Sequence, residues 1–450
     1  MNNWGIIGVG RIGLSMARNM SSKGISLSLY DKTFQKKSDS IFKEKKLYSD
    51  LKKTFVFKDI SSFVKSIKKP RKVLILVPTG NPNDSVISNL IKILDEGDIL
   101  IDAGNTNPVI SLKNKLKTKK NKILYLGMGV SGGVDGVLKG PSIMIGGDIN
   151  AFNQVKDDFS LITSKTIDNT FSFDLFGDSN QGHFIKMIHN GIEYVEMQLI
   201  ASMYKLLIDS NNYNNQEIAE IFNEWNNSEQ KSYLMDISIK QILEKIENKY
   251  LIEKIDDVAD DNGTGRWMLN YGIELGCSTN MLSSAINTRF ISKLKDDRSK
   301  ISKMVNKSSK KYSVDTKSLS KAYQFCRLVN YIQSFCLINA ANKDYNWNIN
   351  ISKVLNVWSS GSIIKSSLIN DLYSNYSVEN ILSDKEIIKE LNGYKPDLIS
   401  IITLSLENDI SIPCFGNALN YFNSISSKTL STNMIQAQRN FFGSHPIKIN

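Results

Sequence analysis

The segment Gly8-Val9-Gly10-Arg11-Ile12-Gly13 constrains this chain more than any other. It follows a short apolar run from Trp4 to Gly8 and opens a stretch of helical period from Ile12 to Ser22. Asp31 follows 18 residues after Gly13, at the end of a second apolar run from Ile25 to Tyr30. Glycines between a strand and a helix permit a tight turn, close approach of a pyrophosphate to the backbone and close helix–strand packing. The helix start adds unpaired N–H groups and a partial positive charge. Strand, turn, helix and acidic residue at this spacing predict a dinucleotide-binding unit, the alternative being a Gly-rich turn without a ligand. Asp31 favours NAD, since a carboxylate accepts from the ribose hydroxyls and repels a 2′-phosphate. Lys32 and Thr33 favour NADP, since an ammonium and a hydroxyl there can hold that phosphate. The residues leave the choice open.

The same alternation continues through Val73–Val77 and Asp84–Leu94, Ile99–Asp102 and Pro108–Leu116, and Ile123–Leu126. Strand-like runs alternating with helical ones are the signature of a doubly wound parallel sheet. From about residue 180 the pattern turns helical, over His183–Asp209, Gln216–Trp225, Ser232–Glu247 and Leu319–Lys343. A chain of 450 residues exceeds the roughly 250–300 at which a single core stops growing. The expected architecture is an α/β Rossmann-type doubly wound domain over 1–178, a large all-α domain over 179–435, in which Pro413 and Gly416 interrupt the last helical part, and a short C-terminal tail over 436–450. The helical part carries an internal similarity. Ile218-x-x-Ile221-Phe222-Asn223-x-Trp225 matches Ile351-x-x-Val354-Leu355-Asn356-x-Trp358, each behind a helix with a Gln, Gln198 or Gln333.

Composition narrows the function classes. No apolar run approaches the ~20 residues of a membrane-spanning helix, and Ile6–Met16 is too broken by glycines and Arg11 for a signal peptide, so a cytoplasmic chain with no membrane partner is expected. The net charge of +11 is scattered, and its densest runs lack interleaved aromatics, which argues against a nucleic-acid partner. Four cysteines without a C-x-x-C pair and three histidines argue against a metal site.

The helical segment beginning at Gly182 carries an unusual polar stripe. At about 100° per residue, Lys186, His189, Asn190 and Glu193 fall within about 100° of arc, on a helix that is apolar over much of its remaining surface. A solvated face is the plain reading. Gly182 and Gly191 weaken it, because glycine inside a helix is unfavourable and suggests that something approaches the backbone closely. A Lys and a Glu two turns apart can serve one substrate as base and acid if burial moves both pKa values towards neutrality. Two other segments belong at the carboxyl ends of strands, where ligands bind in such sheets: Ile101-Asp102-Ala103-Gly104-Asn105-Thr106, and Val130-Ser131-Gly132-Gly133 with Gly140-Pro141-Ser142 after it.

These motifs, together with Phe222-Asn223-Glu224-Trp225-Asn226, Gly263-Thr264-Gly265-Arg266-Trp267, the run from Arg289 to Arg298 and Ile435-Gln436-Ala437-Gln438-Arg439, resemble the 6-phosphogluconate dehydrogenase family over almost the full length. The resemblance implies oxidative decarboxylation of 6-phosphogluconate to ribulose 5-phosphate and CO2 with reduction of NADP, in the pentose phosphate pathway and without a metal. Lys186 would be the base and Glu193 the acid. Asn105, Ser131, Gly132, Gly133, His189, Asn190 and Tyr194 would orient the carboxylate and hydroxyls, and Thr264 and Arg289 would hold the phosphate. Arg439 and His445 would reach the phosphate from a partner's tail, which implies a homodimer. The cofactor would lie on Gly8, Val9, Gly10, Arg11, Ile12 and Gly13, with Asp31, Lys32, Thr33, Val77, Pro78, Thr79 and Asn105 beside it. Four features depart from the family pattern. Asn262 replaces a phosphate-binding Lys, Asp31-Lys32-Thr33 replaces Asn-Arg-Thr, Val77-Pro78-Thr79-Gly80 replaces Val-Lys-Ala-Gly, and the tail ends five residues after His445.

Overall fold

A computed structural model describes residues 1–32, 48–51, 54–78, 80–306 and 311–449. Thr33 and Thr79 lie outside the described residues. Eight strands form one sheet: β1 (Asn2–Ile7), β2 (Leu27–Tyr30), β3 (Phe55–Phe57), β4 (Ile67–Ile75), β5 (Ile99–Asp102), β6 (Leu124–Ser131), β7 (Ser142–Gly147) and β8 (Phe173–Leu175), in the order β3-β2-β1-β4-β5-β6-β7-β8. The helices between them are α1 (Arg11–Ser22), α2 (Ile60–Lys65), α3 (Asn81–Leu90), α4 (Pro108–Lys120), α5 (Gly133–Lys139) and α6 (Ile149–Ile162). The period-2 pattern sorts the strand residues onto two faces. Ile6, Leu74 and Ile101 enter one core, while Ile7, Ile75 and Leu100 enter another.

The chain reverses its direction of travel across the sheet at β1, which pairs with β2 on one side and β4 on the other. Residue pairs Ile7 with Tyr30, Ile7 with Ile75 and Ile75 with Asp102 bring the carboxyl ends of four strands into line, and β6, paired through Gly127 with Asp102, runs on beyond them to Ser131. The one departure from parallel pairing is β6 with β7. The connection between them, residues 132–141, is too short for a crossover back to the start of a parallel strand. Ser142 therefore opens β7 rather than ending a loop, and its hydroxyl donates to the Val357 carbonyl at 2.8 Å.

The helical part begins with α7 (Gln181–Asp209) and is all helix apart from a two-residue hairpin at Lys245–Ile246 and Lys249–Tyr250 among the described residues. Both α7 and the Thr316–Asp344 helix are 29 residues long, and each precedes a short helix carrying one copy of the repeated motif. A buried ion pair fixes the two against each other. Arg327 Nε lies 3.1 Å from Glu196 Oε1, and Tyr323 donates to Glu196 Oε2 at 2.9 Å. Pro413 opens the helix Pro413–Ile425 rather than breaking one, because the first helical turn needs no N–H from that residue, and Gly416 lies inside it.

The helix α7 lies directly on β6 and β7. A Cβ on Gly182 would stand 2.5 Å from the Gly127 carbonyl oxygen and 2.5 Å from the Gly146 nitrogen, and one on Gly191 would stand 2.0 Å from Met268 Sδ. What approaches these two glycines is the protein's own sheet and a neighbouring helix, not a ligand. Gly182→Ala should therefore lower stability by about 1–3 kcal/mol, since the blocking atoms are backbone and cannot move aside. Urea unfolding checks this, and an unchanged midpoint would contradict it.

Candidate active site

The cavity at the aligned strand ends measures about 1240 Å³, larger than the roughly 300–1,000 Å³ of a single-ligand site, so it has room for two. At one end stands the Gly8–Gly13 turn. Gly8 has φ +90, and a Cβ there would stand 2.5 Å from the Leu76 carbonyl oxygen, so only glycine fits. Gly10 caps α1 with no side-chain hydrogen bond, the first turn carries no acid, and a Cβ on Gly10 would meet nothing within 4 Å. Free N–H groups at an open helix start suit a pyrophosphate. Asp31 closes the turn by accepting from the Val9 N–H at 2.8 Å. Gly8, Gly10, Arg11, Ile12, Gly13, Asp31, Lys32, Val77, Pro78 and Asn105 line the cavity, whereas Val9 does not.

At the other end the stripe of α7 comes in. Lys186, Asn190, Glu193 and Tyr194 line the cavity with Ser131 and Gly133. Lys186 is 6% exposed. Burial lowers its pKa to about 8, against the opposing pull of Glu193. Burial raises the Glu193 pKa, with Lys186 and Arg289 opposing. The two groups that could exchange protons with a substrate are thus displaced towards neutrality from opposite sides.

His189 stands behind them, fully buried. Its Nδ1 lies 3.3 Å from Lys186 Nζ, 3.3 Å from Asn190 Oδ1 and 3.8 Å from Glu193 Oε2. Its Nε2 lies 2.8 Å from both Ser131 Oγ and Ser362 Oγ. Burial and the Lys186 cation hold the imidazole well below its ordinary pKa, so it is neutral. It does not line the cavity itself and serves to order Lys186 and Ser131.

Other expected residues sit further back. Gly132 packs under Gly361, whose carbonyl oxygen would stand 2.8 Å from a Cβ there. Thr264 is buried and donates to Asn262 Oδ1 at 2.7 Å, as Tyr194 does at 2.9 Å, so Asn262 organises this turn. Arg289 lies over the Tyr194 ring, 3.7 Å from its centroid. Arg439 and His445 are not among the lining residues of their own chain's cavity. The Thr432–Gly443 helix that bears Arg439 buries none of its residues and leaves Phe441 94% exposed.

Sequence reasoning missed Ser362 and Ile363. The Ile363 N–H donates to Ser131 Oγ at 3.1 Å and its side chain lines the cavity. No motif marks them beyond a Ser-Ser-Gly-Ser run at residues 359–362. It also missed Gly127 and Gly129, although glycine at alternate positions of a strand signals close approach on one face. A Cβ on Gly129 would stand 2.2 Å from the Lys186 Cβ.

The model of the NAD binding domain of 6-phosphogluconate dehydrogenase matches residues 3–170, and that of the C-terminal domain of 6-phosphogluconate dehydrogenase matches residues 182–450. The chain belongs to the 6-phosphogluconate dehydrogenase family. It is 36% identical over 451 residues to a decarboxylating 6-phosphogluconate dehydrogenase of Staphylococcus epidermidis, covering 98% of this chain and 95% of that one. A Staphylococcus aureus relative of the same description is 34% identical, with the same coverage. The solved Plasmodium falciparum 6-phosphogluconate dehydrogenase, studied in its apo form, with its cofactor NADP+ and with its substrate 6-phosphogluconate, superimposes with a TM-score of 0.91 at 31% identity, over 100% of this chain and 98% of that one.

Glu193 supplies the charge that supports the Lys186 ammonium. Glu193→Gln should therefore move Lys186 to titrate below about 8. The pH dependence of amine acylation at Lys186, read by peptide mass spectrometry, checks this, and an unmoved or raised midpoint would contradict it.

Proposed function

We propose that this chain oxidatively decarboxylates 6-phosphogluconate to ribulose 5-phosphate and CO2 with reduction of NADP. The observation that carries the reading is the pair Lys186 and Glu193 on one face of α7, both shifted towards neutrality, lining a cavity that ends in an open helix start. NADP, when bound on the Gly8–Gly13 turn, would supply the acceptor for the hydride that leaves C3. Lys186, with a pKa of about 8, is neutral in a useful fraction of molecules and takes the 3-hydroxyl proton as that hydride leaves. Its ammonium, held by the His189 ring, then donates to the 3-keto oxygen while the C1 carboxylate departs as CO2. Glu193, whose pKa burial raises, delivers a proton to carbon of the resulting enediol while Lys186 takes back the hydroxyl proton to leave the ketone. Ser131, Asn190, Asn105 and Tyr194 orient the substrate; Gly132, Gly133 and His189 hold that wall in shape.

Arg289 and Thr264 stand at the phosphate end, where Asn262 gives a hydrogen-bonding turn in place of a cation. The missing charge is supplied by Arg439 and His445 from a second copy. The exposed Phe441, Phe442 and Met434 of the tail support this homodimer, because an apolar surface of that kind is normally covered. Four free cysteines fit a reducing cytoplasm. No helix among the described residues is long and apolar enough to cross a membrane.

NAD is the second reading for the cofactor, favoured by the carboxylate of Asp31 at the end of β2. Initial rates of reduced-cofactor formation and CO2 release test the proposal. Wild type should turn over 6-phosphogluconate, and Lys186→Ala should lose about 10²- to 10⁴-fold in kcat. No product at saturating cofactor, or an unchanged rate in the variant, would overturn it. Asp31→Asn should raise kcat/KM for NADP relative to NAD about tenfold or more, as removing a like charge beside a 2′-phosphate requires. A ratio that stays constant would assign the choice to other residues.

A further inference from the structure

Behind the wall formed by Ala103, Gly104 and Asn105 runs a buried polar chain whose members do not line the cavity. Asp102, fully buried at the end of β5, is its centre. Its Oδ1 accepts from Asn83 Nδ2 at 3.0 Å and from the Gly104 N–H at 3.2 Å. Thr106 Oγ1 donates into the same carboxylate, 3.0 Å from Oδ2, and Tyr125 Oη donates to Oδ2 at 3.3 Å. The path continues from Tyr125 to Ser111 Oγ at 3.3 Å, and from Ser111 to His183 Nδ1 at 2.8 Å. His183 lies on α7, one turn before Lys186.

A carboxylate can only accept, and it has about four lone-pair sites. Here four donors from α3, the 103–106 loop and β6 converge on it, so its loss would leave each of them unpartnered in the interior. Two of the four, the Gly104 N–H and the Thr106 hydroxyl, flank Asn105. The other end of the path grips the helix that carries the base.

We propose that Asp102 and Thr106 are positioning residues for hydride transfer. Together they fix the loop bearing Asn105, and through Tyr125, Ser111 and His183 they hold it in register with the turn of α7 that carries Lys186. This inference rests on the 6-phosphogluconate reading. Neither residue touches substrate or cofactor, so binding is little affected by their loss, whereas the geometry of the reacting atoms is.

The test compares Thr106→Val, which keeps the shape and removes the hydroxyl, with Thr106→Ser, which keeps the hydroxyl. Asp102→Asn is the second, independent variant. Steady-state rates are measured with 6-phosphogluconate carrying hydrogen or deuterium at C3. Because a misplacement of about 1 Å can cost ~10²-fold, Thr106→Val should lose about 10- to 100-fold in kcat, with KM for 6-phosphogluconate within about threefold of wild type. The C3 deuterium isotope effect on kcat should rise, since hydride transfer becomes slower than product release. Thr106→Ser should recover kcat to within about threefold. Asp102→Asn should follow Thr106→Val.

An isotope effect equal to that of wild type in Thr106→Val and Asp102→Asn would overturn the proposal, because loss of folded protein alone lowers the rate without changing it. So would a Thr106→Ser variant as impaired as Thr106→Val, which would assign the effect to packing. If Thr106→Val does not fold, Asp102→Asn and Thr106→Ser decide by the same isotope effects. A wild-type chain that makes no product from 6-phosphogluconate removes the underlying reading as well, whereas an active wild type with unaffected variants removes only this one.

Discussion

The site depends on how closely one helix can lie on a sheet. Gly127, Gly129 and Gly146 present bare backbone on β6 and β7, and Gly182 presents bare backbone on α7, so the two come together at distances no side chain would allow. Lys186 is pressed against Gly129 by this contact, and its ammonium is removed from water as a result. The depressed pKa follows from burial, against the opposing pull of the neighbouring Glu193 charge. The same contact brings His183 against Gly127 and so joins α7 to the polar chain beneath the 103–106 loop.

Binding and chemistry are divided between two parts of one cavity. The α1 start is uncapped and open, which suits a diphosphate that must enter and leave. The α7 stripe is closed in from behind by His189, Ser362 and the ring of Trp358, which holds the reacting groups in one arrangement. The turn at residues 262–264 is organised differently. Asn262 satisfies Tyr194 and Thr264 locally, and Arg289 lies over the Tyr194 ring.

Much of this was legible in the sequence. The glycine turn, Asp31 and the alternating runs identify the α/β half because the turn chemistry and the two periodicities are local properties. The stripe of Lys186, His189, Asn190 and Glu193 is legible because helical periodicity alone places them on one face. What local pattern cannot supply is the identity of the opposite wall. Gly182 reads as a signal of close approach, but only the fold shows that a strand rather than a ligand makes it. Ser362 reaches His189 across 173 residues, and no spacing rule connects them. The antiparallel β7 depends on the length of one connection, and the buried role of Asp102 depends on donors from three separate elements. Arg439 and His445 act, on this account, only in a second copy, which one chain's packing does not contain.

The most direct test of the account is the pH dependence of kcat/KM for 6-phosphogluconate in the wild-type protein, since it reports the base in the free enzyme. The rate should fall on the acid side of about pH 8, as Lys186 becomes protonated and can no longer take the 3-hydroxyl proton. A profile with no acid-side loss until the ordinary carboxylate range would contradict it, because the base would then be a group other than the buried lysine.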